Sequence, residues 1–184
     1  INSYAIADVN GGSDAGGLVG INYGNIKNSY SKGEVSGSDD IGGLIGDSND
    51  PVTIENSYSE SSVIGTGDDV GGLIGDGEVS GSSYATGNVT GSGDYVGGLV
   101  GDGDVIASSN ASGNVSGDTD VGGLVGDGEV TASSNATGDV SGGSAVGGLI
   151  GDGEASRPSY ATGNVTGTGD NVGGLIGDLF GDIN

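Results

Sequence analysis

The sequence predicts an all-β fold, a single-domain parallel β-solenoid (β-helix) of about seven coils with ~25–26 residues in each. Three observations predict it. The block Gly-Gly-Leu-(Val/Ile)-Gly begins at Gly16, Gly42, Gly71, Gly97, Gly122, Gly147 and Gly173, at spacings of 26, 29, 26, 25, 25 and 26 residues. Periods of about 20–50 residues mark solenoids, propellers and arrays. The apolar residues are few but keep fixed places in the repeat. The pieces between turns are too short and Gly-rich for helices, and their Val, Ile, Thr and Tyr favour strands.

Within a coil the elements follow in order, and the fourth copy is the most regular. Residues 83–90, Ser-Tyr-Ala-Thr-Gly-Asn-Val-Thr, read as a first strand, and Gly91-Ser92-Gly93-Asp94 as a turn. Residues 95–100 read as a second strand, Asp102-Gly103-Asp104 as another turn, and Val105-Ile106-Ala107 as a short third strand. Alternation points Ala85, Gly87 and Val89 inward and Tyr84, Thr86, Asn88 and Thr90 outward. The coils end near Gly20, Gly46, Gly75, Gly101, Gly126, Gly151 and Gly177. Extra residues around Ser48-Asn49-Asp50-Pro51 account for the long second interval and predict a protruding turn. Stacking seven coils at the inter-strand spacing gives a rod of about 34 Å. A propeller blade would need about 40 residues, more than one repeat supplies.

Composition narrows the function. Gly supplies 45 of 184 residues and Pro only 2, without the Gly-X-Y period of collagen. Gly, Ser, Asp and a net charge of −23 also describe disordered chains, but fixed apolar positions argue for a packed interior. Cys and His are absent, which removes thiolate chemistry, disulfides and His-based metal or triad sites from this chain. Lys27, Lys32 and Arg157 stand against 26 acidic residues, so the field repels phosphate; neither nucleic acid nor an anionic membrane surface is an expected partner. No apolar run reaches the ~18 residues of a membrane span. The chain opens at Ile1 in mid-repeat, which reads as a processed product or part of a longer protein.

The Gly-Gly-Leu-(Val/Ile)-Gly block, preceded by Ser-Tyr-Ala-Thr-Gly-Asn-Val-Thr-Gly, resembles the GLUG motif, clearest over 83–101 and 159–177 and weaker in the first three copies. Asn110 and Asn135 replace the Tyr of that pattern. GLUG repeats occur in large surface-exposed and secreted prokaryotic proteins, including adhesins. The resemblance implies an extracellular or cell-surface location and a stalk or adhesive role. It transfers no catalytic residue, and none is assigned.

Carboxylates recur at two corners. One column reads Asp14, Asp40, Asp69, Asp94, Asp120 and Asp170; the other reads Asp47, Asp76, Asp102, Asp127, Asp152 and Asp178. Charges stacked at ~4.8 Å repel by about 0.9 kcal/mol per neighbour in water. Asp76, Asp102, Asp127 and Asp152 are therefore the candidate ligands for calcium between coils, a cation that takes six to eight oxygens. No cofactor is required by the repeat itself, and solvated turn carboxylates are the alternative. Five Asn-x-Ser/Thr sequons, at Asn88, Asn110, Asn114, Asn135 and Asn164, are glycosylation candidates on the outward face. Composition alone also generates such triplets.

Three further patterns bear on binding. Thr86-Asn88-Thr90 and its equivalents Ser112-Asn114-Ser116, Thr137-Asp139-Ser141 and Thr162-Asn164-Thr166 predict a flat hydroxyl and amide array, able to match ice or a mineral lattice. Tyr4, Tyr30, Tyr58, Tyr84 and Tyr160 share one position and predict a broken aromatic column, either a glycan-binding face or a cover for a strand edge. Arg157 is the basic residue of the last four coils, and repeat-equivalent acids have equivalent environments, so an enzyme is not expected. The expected function is an extracellular structural or adhesive rod, with a glycan- or surface-binding module as the alternative. Ends without caps predict end-to-end self-association or continuation in a longer chain.

Overall fold

The structure is a computed structural model that describes residues 2–49, 53–181 and 183. No helix occurs among the described residues. Four seven-stranded sheets run the length of the molecule, each taking one strand from every coil in chain order. All the strand pairings are parallel and in register, as in Tyr84↔Asn110, Val89↔Val115, Val96↔Val121 and Val100↔Val125. A fifth sheet joins Ile54–Glu55 to Ile26–Lys27. The chain is the parallel solenoid of about seven coils that its period predicts.

Each coil holds four strands in these sheets where the sequence predicts three in all. The first predicted strand bends at Gly87 and divides into Tyr84–Ala85 and Val89–Gly91. The second bends at Gly98 and Leu99 and divides into Val96–Gly97 and Val100–Asp102. The cause is close approach between coils. A Cβ on Gly87 would collide with the carbonyl oxygen of Ser61, and one on Gly98 with that of Gly123. Glycine here marks a corner, which residue alternation alone does not reveal. The predicted third strand reduces at Val105 to isolated bridges with Val79 and Val130. In each of the next two coils the fourth strand extends through that position, as Val125–Val130 and Ile150–Ala155.

The interior is split in two. One cluster stacks Leu44, Leu73, Leu99, Leu124 and Leu149 against Ile45, Ile74, Val100, Val125 and Ile150, with Ala85, Ala111 and Ala136 closing another wall. The second packs Val63, Val89, Val115 and Val140 against Val70, Val96, Val121 and Val146. The inward assignment of Ala85 and Val89 holds, at 0% and 1% exposure. A fully buried Leu or Val is worth roughly 1.5–3 kcal/mol relative to exposure, so each coil adds a modest share and depends on its neighbours. In the second and third coils Ser31 and Ser59 replace the wall alanine; both are buried, and Ser31 donates to the carbonyl of Gly43.

At the predicted insertion, Ser48 is buried and accepts a hydrogen bond from Asn22 Nδ2 at 3.1 Å, while Asn49 is exposed. Asp50 and Pro51 of that predicted turn lie outside the described residues.

Candidate functional site

Two carboxylate columns run beside each other along one edge. The first occupies the corner just before the third strand, where the backbone turns left-handed. Asp14, Asp40, Asp69 and Asp120 have φ between 48° and 56° there, and Tyr95, Ala145 and Asn171 take the equivalent places at 56°, 47° and 58°. Asp tolerates this conformation better than most residues. Asp94 and Asp170 therefore do not belong to the column, contrary to the spacing-based expectation. The pairings Val70↔Val96 and Val146↔Val172 put them one residue earlier, on the turn before the corner.

The second column is as expected. Asp47, Asp76, Asp102, Asp127, Asp152 and Asp178 pair in unbroken register along the fourth sheet. The two columns meet side by side, as the bond from Asn171 Nδ2 to Asp178 Oδ2 at 2.9 Å shows. The four residues singled out for calcium, Asp76, Asp102, Asp127 and Asp152, thus lie in one row, one per coil. Among the described residues, no group of three or more such side chains gathers where it could hold a metal ion.

Crowding and partial burial disfavour charge along this edge. Burial, the hydrogen bond to Asp40 and the charges of Asp102, Asp40 and Asp76 push Asp69 up to about 8. Burial and the neighbouring Asp14 carry Asp40 to about 6, against the lowering effect of its bond with Asp69. Of the two neighbours, Asp69 is the one whose charged form is disfavoured more. Burial first, then nearby carboxylates, raises Asp120 and Asp152 to about 6. Asp102 and Asp127 are raised by the same two causes in the same order.

The tyrosine column forms as its spacing predicts. The rings of Tyr4, Tyr30, Tyr58 and Tyr84 stack at centroid distances of 5.1, 4.9 and 4.7 Å with planes 4–6° apart. Asn110 and Asn135 interrupt the register before Tyr160. Stacking occupies the ring faces between neighbours, so the column presents ring edges and hydroxyls outward. A sugar that stacks on aromatics needs an open face. The arrangement therefore favours a cover over the first sheet.

The sequon asparagines divide between two settings. Asn88, Asn114 and Asn164 are exposed, whereas Asn110 and Asn135 are half-buried in line with the tyrosines. The first group also links coils. Asn88 Oδ1 accepts the backbone N–H of Asn114 at 3.0 Å, Asn114 Oδ1 that of Asp139 at 3.0 Å, and Asp139 Oδ1 that of Asn164 at 2.8 Å. The predicted flat Thr/Asn array is not flat. The bends at Gly87, Gly113, Gly138 and Gly163 place Thr86 beside one sheet and Thr90 in the next.

One feature of the repeat escaped residue-type reasoning. Ser3, Ser29, Ser57, Ser83, Ser109, Ser134 and Ser159 form a ladder in which each backbone N–H donates to the hydroxyl one coil later, at 3.1–3.3 Å. Five of these serines, from Ser29 to Ser134, are 1–4% exposed. The signal was available, because serine fills this place in all seven copies. Lys27–Glu55 at 2.6 Å and Lys32–Glu60 at 3.0 Å bridge coils on the surface, while Arg157 is exposed.

The model of the family described as the GLUG motif matches residues 11–36. The match falls on the first two copies, where the repeat is less regular than in the fourth. The parallel register extends the same architecture through the later coils. No curated protein and no solved structure matches the chain.

Proposed function

From a chain that carries a GLUG motif on a seven-coil β-solenoid, we propose an extracellular structural rod: a stalk or adhesin segment displayed at a surface. The match and the fold fit a repeat-type structural or surface protein. The observation that supports this reading best is the unbroken register of all four long sheets. Each coil is stabilised by the coils above and below, so length grows by repetition without redesign of a core. The outermost coils expose Tyr4 and Val172, whose equivalents one coil inward, Tyr30 and Val146, are half-buried and buried. Further coils, in the same chain or in a second copy, are the partner this reading implies.

Electron microscopy of purified protein and surface labelling of intact source cells test the two halves of the proposal. Uniform rods that lengthen by about 4.8 Å per added coil support the structural half. Compact particles whose length ignores coil number reject it. Antibody labelling without permeabilisation supports the surface half, and labelling that requires permeabilisation rejects it.

A further inference from the structure

The tyrosine column has a chemical property that a cover for a strand edge does not require. Backbone register sets Tyr4 against Tyr30, Tyr30 against Tyr58, and Tyr58 against Tyr84. Their rings are nearly parallel and about 5 Å apart, so neighbouring ortho carbons can meet once the two rings tilt edge to edge. We propose that Tyr4, Tyr30, Tyr58 and Tyr84 are a dityrosine cross-linking site, where a one-electron oxidant of the haem peroxidase class joins neighbouring coils covalently.

The chemistry balances with hydrogen peroxide as terminal oxidant. Two phenols each lose one electron and one proton, the tyrosyl radicals couple ortho carbon to ortho carbon, and the ring hydrogens return to the oxygens. The pair loses two hydrogens in total, and one hydrogen peroxide is reduced to two waters. Tyr4, 65% exposed at the end of the stack, and Tyr84, 36% exposed, are the points of attack. Half-buried Tyr30 and Tyr58 receive the radical from a ring in contact.

Position selects the partners. Tyr23 is 77% exposed but stands outside the column, Tyr95 sits at the acidic edge, and Asn110 and Asn135 separate Tyr160 from the stack. The sheet already holds the reacting rings together, so coupling within a chain outruns coupling between chains in dilute solution. The link closes a covalent loop through one whole coil, which restrains the unfolded chain as any such cross-link does.

The test treats dilute intact protein with a haem peroxidase and hydrogen peroxide, followed by intact mass, dityrosine fluorescence and peptide mapping. The expected product is monomeric, lighter by two hydrogens per link, with every link between adjacent members of the column; each phenol has two free ortho carbons, so the three adjacent pairs allow up to three links. Tyr58→Phe preserves stacking but leaves Tyr4–Tyr30 as the one adjacent pair, so the maximum falls from three links to one. The double variant Tyr4→Phe, Tyr58→Phe leaves no adjacent pair and loses intrachain dityrosine while Tyr23, Tyr95 and Tyr160 remain. Circular dichroism confirms that each variant keeps its strands. Unchanged dityrosine in the double variant, links confined to separate chains, or no dityrosine at all overturns the proposal.

Discussion

The backbone N–H of Ser83 donates to the hydroxyl of Ser109 at 3.2 Å, and the N–H of Ser109 donates in turn to Ser134 at 3.1 Å. These groups are buried, so removing one hydroxyl leaves an amide without an acceptor in a place that water does not reach. An unsatisfied buried donor costs about 1–3 kcal/mol. Ser109→Ala is expected to destabilise by that amount in chemical denaturation. Ser159→Ala, at a half-buried position in the last coil, is expected to cost less.

Glycine substitutions separate close approach from open space. A Cβ on Gly113 would collide with the carbonyl oxygen of Gly87, a backbone atom that cannot swing aside, whereas one on Gly174 meets no atom within 4 Å. Gly113→Ala is expected to cost about 2–4 kcal/mol, and Gly174→Ala to remain within about 0.5 kcal/mol of the parent. Equal effects in thermal melts would contradict the close approach of Gly113 to the preceding coil.

The acidic edge makes stability depend on pH. Asp69 at about 8 and Asp40, Asp120 and Asp152 at about 6 all stand above the ordinary 3.8. Between 3.8 and these values the folded state binds more protons than the unfolded state, so stability falls as pH rises through that window. The melting temperature is expected to be higher at pH 5 than at pH 8. Asp69→Asn, which keeps a hydrogen-bond donor and removes the charge, is expected to raise the melting temperature at pH 8 and flatten the slope between pH 6 and 8. Excess chelator is the complementary measurement. If protons relieve the crowding, chelator leaves the melting temperature unchanged, and a fall assigns the columns to calcium.

Register predicts which deletions are tolerated. Asp102 and Asp127 are partners on adjacent coils. Removing residues 102–126 joins Gly101 to Asp127 with every ladder realigned, and the shortened rod is expected to keep its circular dichroism spectrum and melt at a lower temperature. Removing residues 102–114 misaligns the columns and is expected to abolish cooperative unfolding. Similar melting of the two deletions would argue against coil-by-coil stabilisation.

The period of the Gly-Gly-Leu block determined the solenoid, the number of coils and the columns of Leu99, Asp102 and Tyr84, because parallel stacking turns sequence period directly into vertical neighbours. What lay within a coil was legible only where residues alternate within one short strand, as at Tyr84 and Ala85 or at Val89 and Thr90. Tertiary structure decided the rest. It placed the corners at Gly87 and Gly98, where coils approach too closely for a Cβ. It put Tyr95 rather than Asp94 in the left-handed corner, and it turned Ser83 inward as a rung. Each of those outcomes depends on which backbone atoms of the next coil lie opposite, a relation between residues some 25 positions apart that residue type alone does not encode.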